Sequence, residues 1–304
     1  MHKTQQIYAV TGSTGFLGRH FLQNFAKHFP DARMVLLLNH RMPTFLSKNW
    51  ETHTAPLDNK EVLTRVLRGV TTLIHFAGIT HADSKKEYWL ANVTGTKNLI
   101  EAAQKNSVQK IIYISTRAIN ETCGDYAKSK REGELHIIKS NIPFVILRFS
   151  EIYGLGSGEG LNGLIKLVRK LPVVPYPRGV GSFAPLFLDD AIEGIRACLE
   201  RDDIHNRTYV LAGPNSYTFV ELVETISNIL RLKRFTLPLP QILFRVAIVL
   251  GKIMPWPLLR YDQLARMVCL KDDDISQAKA DFDFQPRSFE DGLKLIYYVD
   301  SKHA

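Results

Sequence analysis

With 304 residues, 45% of them hydrophobic and 23% charged, the chain can bury a substantial core and lacks the composition of a disordered protein. Its 39 Lys and Arg against 30 Asp and Glu leave a formal charge of +9, which suits small anionic ligands, but the cations are dispersed, which argues against nucleic acid. Three widely spaced cysteines, Cys123, Cys198 and Cys269, argue against a disulfide framework or a metal site, so reduced thiols and a cytoplasmic location are expected.

The short polar stretch before Ile7 is unlike a signal peptide, and no apolar run reaches the roughly 18 residues a membrane span needs. Short β-branched runs ending at Thr11, Leu38, His75, Ser115 and Arg148 read as strands. Helical patterns lie between most of them: Phe16 to His28, Lys60 to Leu67, Tyr88 to Lys105 and Tyr126 to Lys139. Thr52 and His53 fit a further short strand. Near-continuous apolar strands alternating with helices predict an α/β fold, a doubly wound parallel sheet with helices on both faces.

After Arg148 the pattern changes. Glu151 to Gly163 carries five glycines and reads as a loop; Leu171 to Gly181 carries three prolines and reads as an irregular crossing. A helix follows with Asp189 or Asp190 as N-cap, then a strand over Thr208 to Leu211. From Tyr217 the chain reads as mostly helical. The expected division is therefore 1–150 with 185–212 as one domain, and 151–184 with 213–304 as a smaller substrate-binding or lid region. The apolar helices Gln241 to Leu250 and Leu258 to Met267, around Pro255-Trp256-Pro257, read as that lid, with membrane-surface contact as the alternative.

Gly12-Ser13-Thr14-Gly15-Phe16-Leu17-Gly18 follows the first strand directly and opens the first helix. Glycines there allow a tight turn, close backbone approach to a pyrophosphate and close helix–strand packing, while free N–H groups face the phosphate. This spacing in this context predicts a Rossmann dinucleotide site of Gly12, Thr14, Gly15, Phe16, Leu17, Gly18 and Arg19. The second strand ends in Asn39, His40 and Arg41 in place of the Asp or Glu that binds an adenosine ribose 2′-hydroxyl. Asn39 and Arg41 therefore point to NAD(P), with NADP slightly preferred over NAD.

A strand running into Thr116 precedes Tyr126-Ala127-Lys128-Ser129-Lys130 by ten residues. On a helix Tyr126 and Lys130 share a face, and a neighbouring ammonium favours the phenolate. With a hydroxyl at the strand tip this makes a proton relay for a carbinol or carbonyl carbon. A second Tyr-x-x-x-Lys, Tyr298 with Lys302, has no strand before it and is assigned no function. His75 reads as a buried structural residue, and Cys123 as a small loop residue.

Thr11 to Gly18, Ile74-His75-Phe76-Ala77-Gly78, Asn92-Val93-Thr94-Gly95-Thr96, Ile114-Ser115-Thr116, Tyr126 to Lys130, Leu147-Arg148 through Ile152-Tyr153-Gly154, and Phe187-Leu188-Asp189-Asp190 come in one order over residues 7 to 190. In these segments the chain resembles an extended short-chain dehydrogenase/reductase of the NAD-dependent epimerase/dehydratase group. The resemblance implies that Phe76, Ala77 and Gly78 lie along the cofactor and that Asn92 braces the site through the backbone. It implies Thr116 in the hydroxyl role with Ser115 as fallback, Tyr126 as acid/base, and Lys130 as its partner and a ligand of the nicotinamide ribose. Phe149 and Ser150 would approach the nicotinamide.

The resemblance makes a nucleotide sugar the leading small-molecule substrate, and it is compatible with a homodimer. Four departures stand out. Asp58 is displaced from the usual adenine contact, and Phe149 replaces a common Pro. The loop from Thr116 to Tyr126 is short. Phe183-Ala184-Pro185 replaces an Arg-Asp common in sugar-nucleotide enzymes, with Arg178 as a substitute cation. Leu171 to Asp190 and the helical tail also resemble the dinucleotide-binding accessory subunit of respiratory complex I, which implies a non-catalytic scaffold as one alternative. A hydroxysteroid or flavonoid-type reductase is the other.

Overall fold

In the computed structural model, which describes residues 6–156, 160–251 and 261–300, the chain opens with β1 (Ile7–Thr11), α1 (Phe16–His28), β2 (Arg33–Leu38), β3 (Trp50–Thr54), α2 (Lys60–Val66) and β4 (Thr72–His75). Then come α3 (Lys85–Tyr88), a π-helical turn over Trp89–Thr94, α4 (Gly95–Lys105), β5 (Lys110–Thr116), α5 (Asp125–Ile138) and β6 (Phe144–Phe149). β7 (Ile152–Tyr153), α6 (Leu161–Lys170), β8 (Val173–Pro177), β9 (Leu186–Phe187), α7 (Leu188–Glu200) and β10 (Arg207–Leu211) follow. The last third holds α8 (Phe219–Ile229), β11 (Phe235–Leu239), α9 (Gln241–Gly251), α10 (Tyr261–Val268), α11 (Ser276–Phe282) and α12 (Phe289–Asp300).

Seven strands form one sheet in the order β10-β6-β5-β4-β1-β2-β3, and every pairing from β3 to β5 is parallel. The expected Rossmann fold is present. Strand order reverses between β1 and β4, and in open parallel sheets that switch point is where a crevice forms at the carboxyl ends of the strands. The sheet's apolar residues bury because parallel strands covered by helices have no solvent face. Leu73, Ile111, Tyr113 and Ile146 from the strands meet Leu63, Leu99 and Ile137 from α2, α4 and α5.

The chain divides into two compact units. The first takes residues up to Thr116, Ser129–Arg148 and Ile192–Tyr209; the second takes Arg117–Lys128, Phe149–Ala191 and the chain from Val210. The second has its own core, in which Tyr153, Ile165, Val174, Phe219, Leu222 and Phe289 are buried together.

Several local expectations are corrected. The proline-bearing crossing contains β8, which pairs in parallel with β11, Val173 lying beside Phe235. Pro175, Pro177 and Pro238 are tolerated because both strands of a two-stranded ribbon are edges. Neither Asp189 nor Asp190 is an N-cap: α7 already begins at Leu188, and Asp190 instead pairs with Arg287 at 2.8 Å. The helix expected over Tyr88 to Lys105 is present and carries a π-helical turn over Trp89–Thr94, where the Gly95 N–H reaches back five residues to the Leu90 carbonyl. The glycine-rich stretch after Arg148 holds the short β7 before α6.

The expectation of three reduced thiols is also overturned. Cys123 and Cys269 form a disulfide, 5.2 Å between Cα atoms, across 146 residues of sequence. Cys198 is the free, buried thiol, pushed up to about 12 by burial. Pro255-Trp256-Pro257, Lys302 and the side chain of Tyr298 lie outside the described residues. Among the described residues, no helix is long and apolar enough to cross a membrane.

Candidate active site

The glycine turn is built by close approach. Gly12 has φ +71°, and a Cβ there would lie 2.5 Å from the Ala77 nitrogen; one on Gly18 would strike the Gly12 carbonyl. The Gly15 N–H closes the turn on the Gly12 oxygen at 3.1 Å. Helix α1 starts at the next residue with no side-chain cap and no acid in its first turn, so its N–H groups remain available to an anion. Ser13 is fully buried in the turn and its hydroxyl has no hydrogen-bond partner among the described residues. A buried hydroxyl without a partner is costly, and a phosphate oxygen would satisfy it. Ser13 was not among the expected contacts, because the motif reads it only as a spacer. Thr14 and Gly15 are exposed, Phe16 and Leu17 half-buried, and the Arg19 guanidinium lies 5.7 Å over the Phe16 ring.

Thr11 joins this turn to the end of β4. Its hydroxyl lies 2.7 Å from His75 Nδ1 and accepts the Ala77 N–H at 3.2 Å. His75 Nε2 meets the Thr96 hydroxyl at 3.0 Å, and burial holds the ring's pKa down to about 3, with Lys130 adding to the shift. The histidine is thus a neutral strut. Phe76, Ala77 and Gly78 continue past it beside the glycine turn. Asn39, His40 and Arg41 are exposed beyond β2.

The π-helical turn presents Asn92. Its side-chain amide donates to the Ile79 carbonyl at 3.0 Å and to the Ser129 hydroxyl at 2.9 Å, and its oxygen accepts the Ile79 N–H at 2.8 Å. It braces Gly78–Ile79 against α5, as expected of a π-bulge at a working site. Lys130 donates to the Ile114 carbonyl at 2.7 Å and sits 4.0 Å over the Tyr113 ring. Burial lowers its amine to about 7, against the pull of Glu134. Ser115 donates to Glu134 at 2.6 Å, and Arg148 also holds Glu134. The Ser115 hydroxyl proton is thus engaged by Glu134.

Tyr126 stands one turn before Lys130 at the start of α5. Its backbone N–H donates to Asp262 at 3.2 Å, and the Arg266 guanidinium lies 4.6 Å over its ring. Burial raises its pKa, Arg266 opposes that, and Asp262 adds to it. The charges that bear on this phenol therefore come from α10, which the sequence expectation, built on Lys130 alone, did not include. Phe149 is buried, and its carbonyl accepts the Arg117 N–H; the Ser150 hydroxyl donates to the Ala184 carbonyl at 2.6 Å.

Directly after Thr116 and Ser150 lies an ion cluster that sequence reasoning missed. The nearly inaccessible Arg117 binds Glu151 at 2.7 Å and also pairs with Asp273, while Lys271 reaches Glu151 at 3.0 Å. These cations hold Glu151 down to about 2 against burial. Two positive and two negative charges balance there, which is what a buried group of ions requires. The signal available in sequence was adjacency alone: Arg117 follows Thr116 and Glu151 follows Ser150.

Residues 8–212 match the NAD dependent epimerase/dehydratase family. The chain belongs to that family, and it is an enzyme of the epimerase, dehydratase and reductase kind. It is similar to a ceramide reductase of Caulobacter vibrioides, 28% identical over 242 residues, 77% of this chain and 74% of the relative. It is also similar to a decarboxylating sterol-4-alpha-carboxylate 3-dehydrogenase of Candida albicans, 25% identical, with 83% of each chain covered. In fold it is similar to MoeE5 solved with UDP-glucuronic acid and NAD, with TM-score 0.77 and 17% identity, covering 98% of this chain and 99% of that one.

Proposed function

We propose that the chain is an NAD(P)-dependent oxidoreductase or epimerase acting at a carbinol or carbonyl carbon. The observation that carries this reading is a buried phenol and a buried amine one turn apart on α5, downstream of the glycine turn. Bound at that turn, the dinucleotide would supply or accept the hydride. Tyr126 moves the proton at the substrate oxygen, Thr116 donates a hydrogen bond to that oxygen, Lys130 binds the cofactor ribose, and Arg266 supplies the cation that opposes the burial of the phenol. Gly12, Gly15, Gly18 and Ser13 hold the pyrophosphate.

Two substrate classes fit. A nucleotide sugar is the first, supported by the family and by the sugar nucleotide in the fold relative. A lipophilic alcohol or ketone is the second, favoured by the buried apolar Phe183 and Ala184 where sugar-nucleotide enzymes often carry Arg-Asp. The relatives named for ceramide and sterol chemistry support it too. Single-turnover hydride transfer with panels of both classes tests the reading. Turnover of either class assigns the substrate. A chain that binds dinucleotide and turns over neither is a scaffold.

The exposed Asn39 and Arg41 support a modest preference for the 2′-phosphorylated cofactor. Arg41→Ala should weaken NADPH more than NADH in calorimetry, and equal losses would remove the preference.

A further inference from the structure

The β8–β11 ribbon has two unlike faces. Val174 is fully buried, and Tyr176 stacks on Phe219 at 4.7 Å, so that face belongs to the second unit's core. Alternation puts the neighbouring residues on the other face, where the register sets Phe235 beside Val173 and Leu237 beside Pro175. Phe235 is 70% exposed, Leu237 45% and Val173 43%. The apolar surface continues onto α9, where Ile242, Leu243 and Val246 are 59%, 50% and 46% exposed. Gln241 holds the two parts together by donating to the Arg178 carbonyl at 2.9 Å, while the Arg178 N–H donates to Leu239.

The two segments that form this surface carry charge of one sign. Residues 160–182 carry Lys166, Arg169, Lys170 and Arg178, and residues 226–248 carry Arg231, Lys233, Arg234 and Arg245, with no Asp or Glu in either segment. All but Arg234 are exposed. Chain-wide, cations exceed acids only modestly, at 39 to 30, so this sorting is local. Exposed aromatic and aliphatic side chains on segments that carry cations and no acids match the boundary of an anionic bilayer, where apolar groups enter the acyl layer and cations meet lipid phosphates. A symmetric pairing with a second copy would set this cationic surround against itself.

We propose that the outer face of the β8–β11 ribbon and α9 forms a docking surface for an anionic lipid bilayer. The proposal does not depend on the reaction assigned above. The test is sedimentation of the full chain with vesicles of phosphatidylcholine alone, and of phosphatidylcholine with phosphatidylglycerol, with light scattering in parallel. Selective pelleting with the anionic vesicles is expected. The Phe235→Ser/Leu237→Ser and Arg231→Glu/Lys233→Glu variants should each lower partitioning by about tenfold or more. Unchanged dinucleotide affinity in both variants shows that the fold is intact. Partitioning that is absent, or indifferent to lipid charge, overturns the proposal. A dimer that Phe235→Ser disperses, without vesicle binding by the parent, overturns it in favour of a second copy.

Discussion

The guanidinium of Arg266 lies 4.6 Å over the ring of Tyr126, while Asp262, one turn earlier on α10, accepts the Tyr126 backbone N–H. One helix thus positions the phenol's backbone and supplies a cation to its ring. Gly124, with φ +94°, allows this, because a Cβ there would meet the Asp262 carboxylate at 2.5 Å.

Arg266→Met should raise the Tyr126 pKa further, since burial would act without the opposing cation. For alcohol oxidation, where the phenolate is the base, the limb on which rate rises with pH should move to higher pH, with dinucleotide affinity unchanged. Tyr126→Phe should cost about a hundred- to ten-thousand-fold in single-turnover hydride transfer, the usual contribution of a general acid or base. A profile unmoved in Arg266→Met would reduce that residue to packing.

Gly15→Val should block the pyrophosphate from the turn, because a Cβ there already lies 3.3 Å from the Gly12 carbonyl and faces outward among exposed residues. Ser13→Ala should weaken dinucleotide binding by about tenfold, in the range of a hydrogen bond to a charged group. Calorimetry with NADH and NADPH measures both; undiminished affinity in a folded Gly15→Val chain contradicts the site.

Lys130 makes stability depend on pH in a defined direction. Its pKa falls from 10.5 to about 7 on folding, so the unfolded chain binds more protons between those values. The cofactor-free protein should therefore gain stability as pH rises through that window, and Lys130→Met should flatten the slope. At the acid end His75, lowered from 6.5 to about 3, and Glu151, lowered from 4.5 to about 2, act in the same direction. Stability should fall as pH drops through 6.5 and again below 4.5. Urea unfolding midpoints across pH follow all three. If Lys130 binds the ribose as an ammonium, cofactor binding near pH 8 should also take up a proton, seen as a dependence of binding heat on buffer.

The Cys123–Cys269 bond closes a long loop, so Cys269→Ser or reduction should cost about 2–5 kcal/mol of stability. Denaturant unfolding of oxidised and reduced protein compares the two. A native oxidised chain that titrates three thiols would contradict the bond.

What the sequence determined by itself was local. The strand, turn and helix from Ile7 to His28 follow one another directly, and each residue type acts on its immediate neighbours, so the glycine spacing alone was enough to place the turn. Tyr126 and Lys130 were legible for the same reason, since four residues on a helix set a shared face whatever else the chain does. The alternation of apolar strands and helices was enough for the parallel sheet.

What only tertiary structure decided joins residues far apart. Cys123 with Cys269, Arg117 with Asp273, Tyr126 with Arg266, and β8 with β11 are all separated by at least sixty residues. No spacing rule links such partners, because their meeting depends on how intervening elements pack. Ser13 belongs with them: its residue type is unremarkable in the motif, and its meaning comes from complete burial without a hydrogen-bond partner among the described residues. The same holds for the outer face of the ribbon, where Val173 and Phe235 are ordinary strand residues until pairing aligns them and burial of Val174 turns them both outward.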